Sequence, residues 1–433
     1  METTIESIWS RSKLLVKTLI IAVLVLLLLI PTFSVQNLVA EREARQKEAI
    51  AEVSSKWAGP QNITGPILAL PYLQPGDSTG KTAPVKHTAY FLPDELNVQG
   101  KIAPQQRSRG IYKVMLYTAQ LHLSGSFAGL PIEKLHIAPE QILWNEAYLK
   151  MNIADVKGLN DELKLSWNDS VLTLAPQHFS EASEGLMTPV ALDAHGALKK
   201  FSFAADVAIN GSEKLLVTPL GKTTQVQLTA PWPHPSFTGN TLPQTTAVTK
   251  DDFSATWKSL AHKRAFAQYW TDTAFTDAQL NNEAFGVDLF IPVNDYQKTM
   301  RSVKYAALCI VLTFAAFFII ETANKRSVHP FQYGLIGLAL VLFYLLLLSI
   351  SEYTGFNVAY LISTVATIAL IGWFVKGVLA SNKLSVALSL LLLLIYVYVF
   401  TILQLQDFAL LLGSIGLFIS LAAIMYFSKK WSW

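Results

Sequence analysis

The chain carries eight histidines, at His87, His122, His136, His178, His195, His234, His262 and His329, and no two of them lie three to five residues apart. Zinc-type sites gather His and Cys ligands at short, regular spacings, so no dedicated metal site is signalled. There is no GxSxG segment and no GxxxxGK[ST] loop, so nucleophile-elbow and nucleotide-binding chemistry have no support. The single cysteine, Cys309, lies inside an apolar run. It reads as a small apolar filler, and an intrachain disulfide is impossible. Neither a metal nor a cofactor is expected.

Two groups of residues remain as candidates. The segment PWPHPSFTG alternates Pro231, Pro233 and Pro235 with Trp232, His234 and Ser236, which makes it stiff and close to polyproline II. It could be a binding loop that displays His234 between Trp232 and Phe237. The plainer reading, which we prefer, is a rigid capping loop with Trp232 and Phe237 in the core, since most loops carry no function. The second group is Glu352 and Asp407, carboxylates at the ends of apolar runs. With His234 they could act as acid or base on an envelope polymer, although such groups are more often plain interfacial charges. Glu321 also lies at a run end, where Lys325 or Arg326 could pair with it.

The elements that would position these residues are read from hydropathy. Of 433 residues 52% are hydrophobic and only 15% charged, against about 25% charged in soluble domains. Nearly all the charge falls between residues 34 and 303, where acidic and basic groups almost cancel. A near-neutral region gives no electrostatic reason to expect nucleic acid. Leu14 to Ile30 is long enough to span a bilayer, and Pro31 is expected to close it. We read it as an uncleaved anchor. Five further apolar runs follow, Lys304–Ile320, Phe331–Ile350, Phe356–Val375, Leu384–Leu403 and Phe408–Phe427. Arg11, Lys13, Lys17, Lys325, Arg326, Lys376, Lys383, Lys429 and Lys430 all fall on one side of this arrangement. Ser351–Gly355 and Gln404–Asp407, on the other side, have no Lys or Arg. By the positive-inside rule both termini are cytoplasmic and the region 34–303 lies outside, in the periplasm of a two-membrane bacterium.

Residues 1–33 are therefore a cytoplasmic tail and first span, 34–58 a juxtamembrane helix, 59–303 a periplasmic β-rich domain and 304–433 a five-span membrane domain. Within the β-rich region, Lys113–Tyr117, Gln120–Phe127, Lys164–Trp167, Phe201–Ile209 and Gln225–Leu228 alternate with period two. Turn signals separate them. An all-β, sandwich-like domain is expected, as one unit or two. Thr256–Thr273 is expected to be helical and Ala284–Val293 a last strand. The spans show no ionisable residue at mid-depth and no inverted repeat, which argues against a pump or secondary transporter.

Several segments, in the same order along the whole chain, resemble the CreD family. They are Gly59-Pro60-Gln61 with Gly65-Pro66, Arg109-Gly110-Ile111-Tyr112, Trp232 to Phe237, Lys304-Tyr305-Ala306, Phe317–Glu321, His329–Tyr333 and Phe343–Gly355. The resemblance implies an inner-membrane protein with one span, a large periplasmic domain and a C-terminal membrane cluster. It also implies an association with cell-envelope integrity and stress response under the CreBC two-component system. It carries over no catalytic or ligand residue. The function expected is a non-enzymatic interaction module or scaffold whose partner is a periplasmic protein, glycan or lipid. The alternative is a carrier of a lipid or amphiphilic envelope component.

Overall fold

The computed structural model describes residues 2–75, 83–176, 185–192, 200–272, 274–289, 295–324 and 328–405, with helical turns among 411–425; of residues 2–15 only the backbone is described. The chain divides into two compact units, residues 1–47 with 293–433, and residues 48–292.

The first unit is helical. Helix α1 (Glu2–Trp57) is continuous and gives its last turns to the second unit. Pro31 lies inside it, so the proline does not end the helix. A proline brings no N–H to the ladder, so Leu27 O loses its usual donor four residues on. Thr32 Oγ1 donates to Leu29 O at 2.6 Å. The unit continues, after α2 of the other unit (Asp277–Asn281), with α3 (Asp295–Lys304), α4 (Ala306–Ala323), α5 (Pro330–Thr354), α6 (Phe356–Leu379) and α7 (Asn382–Gln404). Among the described residues four helices, from α1, α5, α6 and α7, are long and apolar enough to cross a membrane; a fifth is added if α3 and α4, bent by 42°, form one span. Half of the run Phe408–Phe427 falls outside the described residues. Leu19, Leu26, Leu361 and Leu394 are exposed on these helices, as lipid-facing side chains are. The interior holds Phe314, Phe317, Tyr333, Phe343, Tyr344 and Tyr396. At Gly337 on α5 the Leu28 side chain of α1 and the Phe314 ring of α4 pack closely, since a Cβ there would meet them at 2.1 and 2.9 Å.

Among its described residues the second unit contains sixteen strands. They are β1 (Gln61–Gln74), β2 (Val85–Phe91), β3 (Glu95–Arg109), β4 (Tyr112–Phe127), β5 (Tyr148–Ile153), β6 (Leu163–Trp167), β7 (Ser170–Pro176) and β8 (Leu186–Pro189). They continue as β9 (Phe201–Ser212), β10 (Lys214–Val217), β11 (Thr223–Ala230), β12 (Ser236–Gly239), β13 (Thr245–Val248), β14 (Phe253–Leu260), β15 (Tyr269–Thr271) and β16 (Phe285–Asp288). The first sheet runs β12-β16-β10-β1-β5-β8, with β2 beside β1 and β15 beside β2. The second runs β7-β6-β9-β4-β3-β11-β14-β13, and β7 also pairs with β8 of the first. Both sheets are mixed, since β1 pairs β10 in parallel and β3 pairs β11 in parallel. One continuous core lies against both, from Leu68 and Leu149 to Leu123, Ile209 and Trp257. Segment 256–273 holds no α-helix among its described residues, only a single 3-10 turn at Ala261–Lys263 between strands. Phe253, Ala255 and Trp257 are buried and alternate with half-buried Ser254 and Thr256, a strand period that outweighs local helix propensity.

Two details fix the frame. The β1–β5 register shifts between Thr64 and Ile67, where Pro66 has no N–H to give to the ladder. Gly65 there has φ +143°, and a Cβ would meet Met151 Cγ at 2.6 Å, so only glycine fits. The long hairpin β3–β4 turns at Gly110, φ +61°. Near its tip Arg109 donates to Glu52 Oε1 at 2.8 Å, and Arg107 lies over the Trp57 ring, which holds the end of α1.

At the β9–β10–β16 junction, burial raises the carboxyl of Glu213, and nearby Asp288 adds to the rise while Lys214 opposes it. Burial raises Asp288 as well. A carboxyl raised in the folded state favours folding when protonated, and that contribution is lost as pH rises through the raised value. Glu213→Gln is therefore expected to stabilise the unit by about 0.5 kcal/mol at neutral pH. The gain should shrink as the pH falls into the carboxylate range. Melting curves of both proteins at neutral and mildly acid pH would check this, and an equal gain at both would refute the assignment.

Candidate functional site

The alternation of β3, β4, β9 and β11 buries one set of side chains and turns the other outward. The register aligns the outward set in rows across the second sheet. In one row Gln227 lies opposite Gln99, Gln99 opposite His122, and His122 opposite Asp206. In the next, Thr229, Lys101, Gln120 and Ala208 follow one another. The segment before β6 stands beside these rows. Asn160 N donates to Ala208 O at 3.1 Å, and Asn210 Nδ2 donates to Asn160 Oδ1 at 2.6 Å. Asp161 and Glu162 thereby reach the rim of an open cavity of about 550 Å³, whose floor is these rows.

Inside it His122 Nδ1 lies 2.7 Å from Asp206 Oδ1. The carboxylate only accepts, so it holds the proton on Nδ1 and leaves Nε2 to accept when the ring is neutral. Lys101 stands against Asp161, Glu162 and Asp206, so the lining is acidic on balance. Sequence alternation places Gln120 and His122 on one face of β4, but nothing local says which residues of β3, β9 and β11 stand beside them.

The Pro-rich segment is arranged differently. Trp232 and Phe237 are half-buried against the core, and Trp232 Nε1 donates to His234 O at 3.0 Å. Phe237, on β12, meets Phe253 and Trp257 edge-on at 6.0 and 5.7 Å. His234 itself is exposed. The structure thus sets Trp232 and Phe237 to packing and leaves His234 on the surface.

Glu352, in the last turn of α5, is 9% exposed and tied to two other helices. Tyr296 Oη of α3 donates to its Oε1 at 3.1 Å, and Arg42 Nε of α1 lies 3.8 Å from the same oxygen. Asp407 lies outside the described residues. Lys325 and Arg326, the partners expected for Glu321, lie outside the described residues, and the carboxylate has a partner the local sequence did not point to. Its carboxylate accepts from Lys17 of α1, from Val328 N at 2.7 Å and from Tyr333 Oη at 2.7 Å. Lys17 also donates to Val328 O at 2.9 Å.

A second imidazole–carboxylate contact, His87 Nδ1 to Asp272 Oδ2 at 2.6 Å, was not visible in the sequence because 185 residues separate the partners. Asp272 Oδ1 also accepts from Thr88 N at 3.0 Å, so this pair fastens the β2–β15 edge. Among the described residues no group of three or more His, Cys, Asp or Glu is placed to hold a metal ion.

A helical unit with several apolar helices, joined to a large mixed β unit, defines a class of integral membrane protein. Residues 13–433 match the family model described as inner membrane protein CreD. The chain is also 32% identical to the inner membrane protein CreD of Escherichia coli (strain K12) over 416 residues, which cover 94% of this chain and 91% of that one. The chain belongs to the CreD family of inner-membrane proteins.

Proposed function

We propose that this protein supports cell-envelope integrity and stress response as a non-enzymatic interaction module. In this reading the β unit faces the periplasm and binds an envelope component, and the membrane helices are its platform. The observation that carries the reading is the open polar cavity on the second sheet. Its size is that of a ligand site, and its lining converges on donors and acceptors rather than on a reacting pair with a nucleophile. The distribution of Lys and Arg between the apolar runs supports the periplasmic side.

The test is photo-crosslinking in living cells, with the probe at Gln120 in the cavity and, for comparison, at His234. The expected result is a discrete crosslinked species from Gln120 that is weak or absent from His234. A folded, fully labelled protein that captures nothing at Gln120 would overturn this assignment of the site.

A further inference from the structure

We propose that the cavity on the second sheet takes a saccharide chain that is uncharged or amine-bearing. The proposal rests on the reading of the β unit as an interaction module and names its ligand class.

The cavity is closed to several ligand classes. All four floor strands are hydrogen-bonded on both sides, β11 to β3 and β14, β3 to β11 and β4, β4 to β3 and β9, and β9 to β4 and β6. No free backbone edge is left, so a peptide cannot add as a strand. The excess of Asp161, Glu162 and Asp206 over Lys101 opposes phosphate-rich and other polyanionic chains. The floor presents polar side chains, which would be stripped of water by an acyl chain without return.

What remains is a ligand that offers donors and acceptors together along its length. Gln99, Gln120 and Gln227 each carry both on one planar amide, and Thr229 carries both on one hydroxyl. The Asp206 carboxylate accepts, Lys101 donates, and His122 Nε2 is free to accept. Sugar hydroxyls meet all of these, because each can donate and accept at once. The row Gln227-Gln99-His122-Asp206 crosses four strands, and at about 4.8 Å between strands it extends over about 14 Å. That is the reach of a few linked sugar rings, on a surface too long for a single small molecule. The acidic rim at Asp161 and Glu162 further favours an amino group on the ligand. The lining holds no phenyl or indole ring, so recognition rests on hydrogen bonds rather than stacking, and weak binding of each short fragment follows.

The experiment titrates the full-length protein in detergent with three probes: a chitin tetrasaccharide, its deacetylated amine form, and a sulfated oligosaccharide of equal length. The amine form is expected to bind most tightly, the neutral form next and the sulfated form least. Gln99 and His122 point away from the core, so the Gln99→Leu/His122→Leu variant should keep its melting temperature. Loss of two hydrogen bonds should weaken binding of the neutral probe about tenfold. Asp161→Asn/Glu162→Gln should lower the affinity for the amine form more than that for the neutral one. The inference is overturned if the sulfated probe binds best, if the wild type binds neither of the other two at millimolar concentration, or if the Gln99 and His122 changes leave binding intact. Should the saccharides fail while the Gln120 probe still captures a protein in cells, the interaction module stands and only the ligand class is refuted. Should both fail, the module reading falls with it.

Discussion

Lys17→Met is expected to destabilise the helical unit by about 3 kcal/mol, through the charge it leaves behind. Glu321 is 3% exposed and its carboxylate is surrounded by Lys17, Val328 N and Tyr333 Oη. Removing the ammonium leaves a buried anion with two neutral donors, which is far costlier than losing the pair together. The double change Lys17→Met/Glu321→Met should therefore recover much of the loss, since an apolar pair of similar volume needs no solvation. Heating in detergent followed by size-exclusion chromatography reads the fraction still folded. A Lys17→Met protein as heat-resistant as wild type, or a double variant worse than the sum of the singles, would show that this ion pair does not hold α1 to α4 and α5.

Trp257→Ala should cost the β unit about 4 kcal/mol. The indole is fully buried, stacked on Phe285 at 5.9 Å and met edge-on by Phe237. Truncation would leave a large hole between the two sheets, bordered by rings that cannot collapse into it. Trp257→Phe should cost much less, about 1 kcal/mol, because it keeps a ring and also removes an indole N–H that has no hydrogen-bond partner. Thermal unfolding of the three proteins orders them, and equal losses for Ala and Phe would refute the packing argument. The same contacts explain why Phe237 serves the core better than a binding loop.

How much of this could be read from the chain depends on how local each signal is. Period-two alternation in Gln120–Phe127 and Phe201–Ile209 marks β4 and β9 directly, because one face of each strand is buried. Thr256–Thr273 misled because Ala, Lys and Gln there suit a helix, while pairing with β11 on one side and β13 on the other makes 253–260 a strand. Pro31 misled because an apolar helix tolerates a proline that would end a soluble one. The cavity was hidden for a related reason. His122 and Asp206 are ordinary outward residues of separate strands, and only the ladder register brings them together. Lys17 and Glu321, 304 positions apart, carried no pairwise signal at all.

The parallel pairings also set a timetable for the growing chain. Gln61 of β1 lies beside Leu215 of β10, and Glu95 of β3 beside Thr223 of β11. Contacts so distant form late, because long loops must close before either pairing is rewarded. The β3–β4 hairpin can zip from its Gly110 turn as soon as it is made. The free side of β3 and the start of β1 then stay open as strand templates until residues beyond 230 have been synthesised. An unfinished chain of this kind attracts other unpaired strands. A translation pause between β4 and β11 would lengthen that exposure.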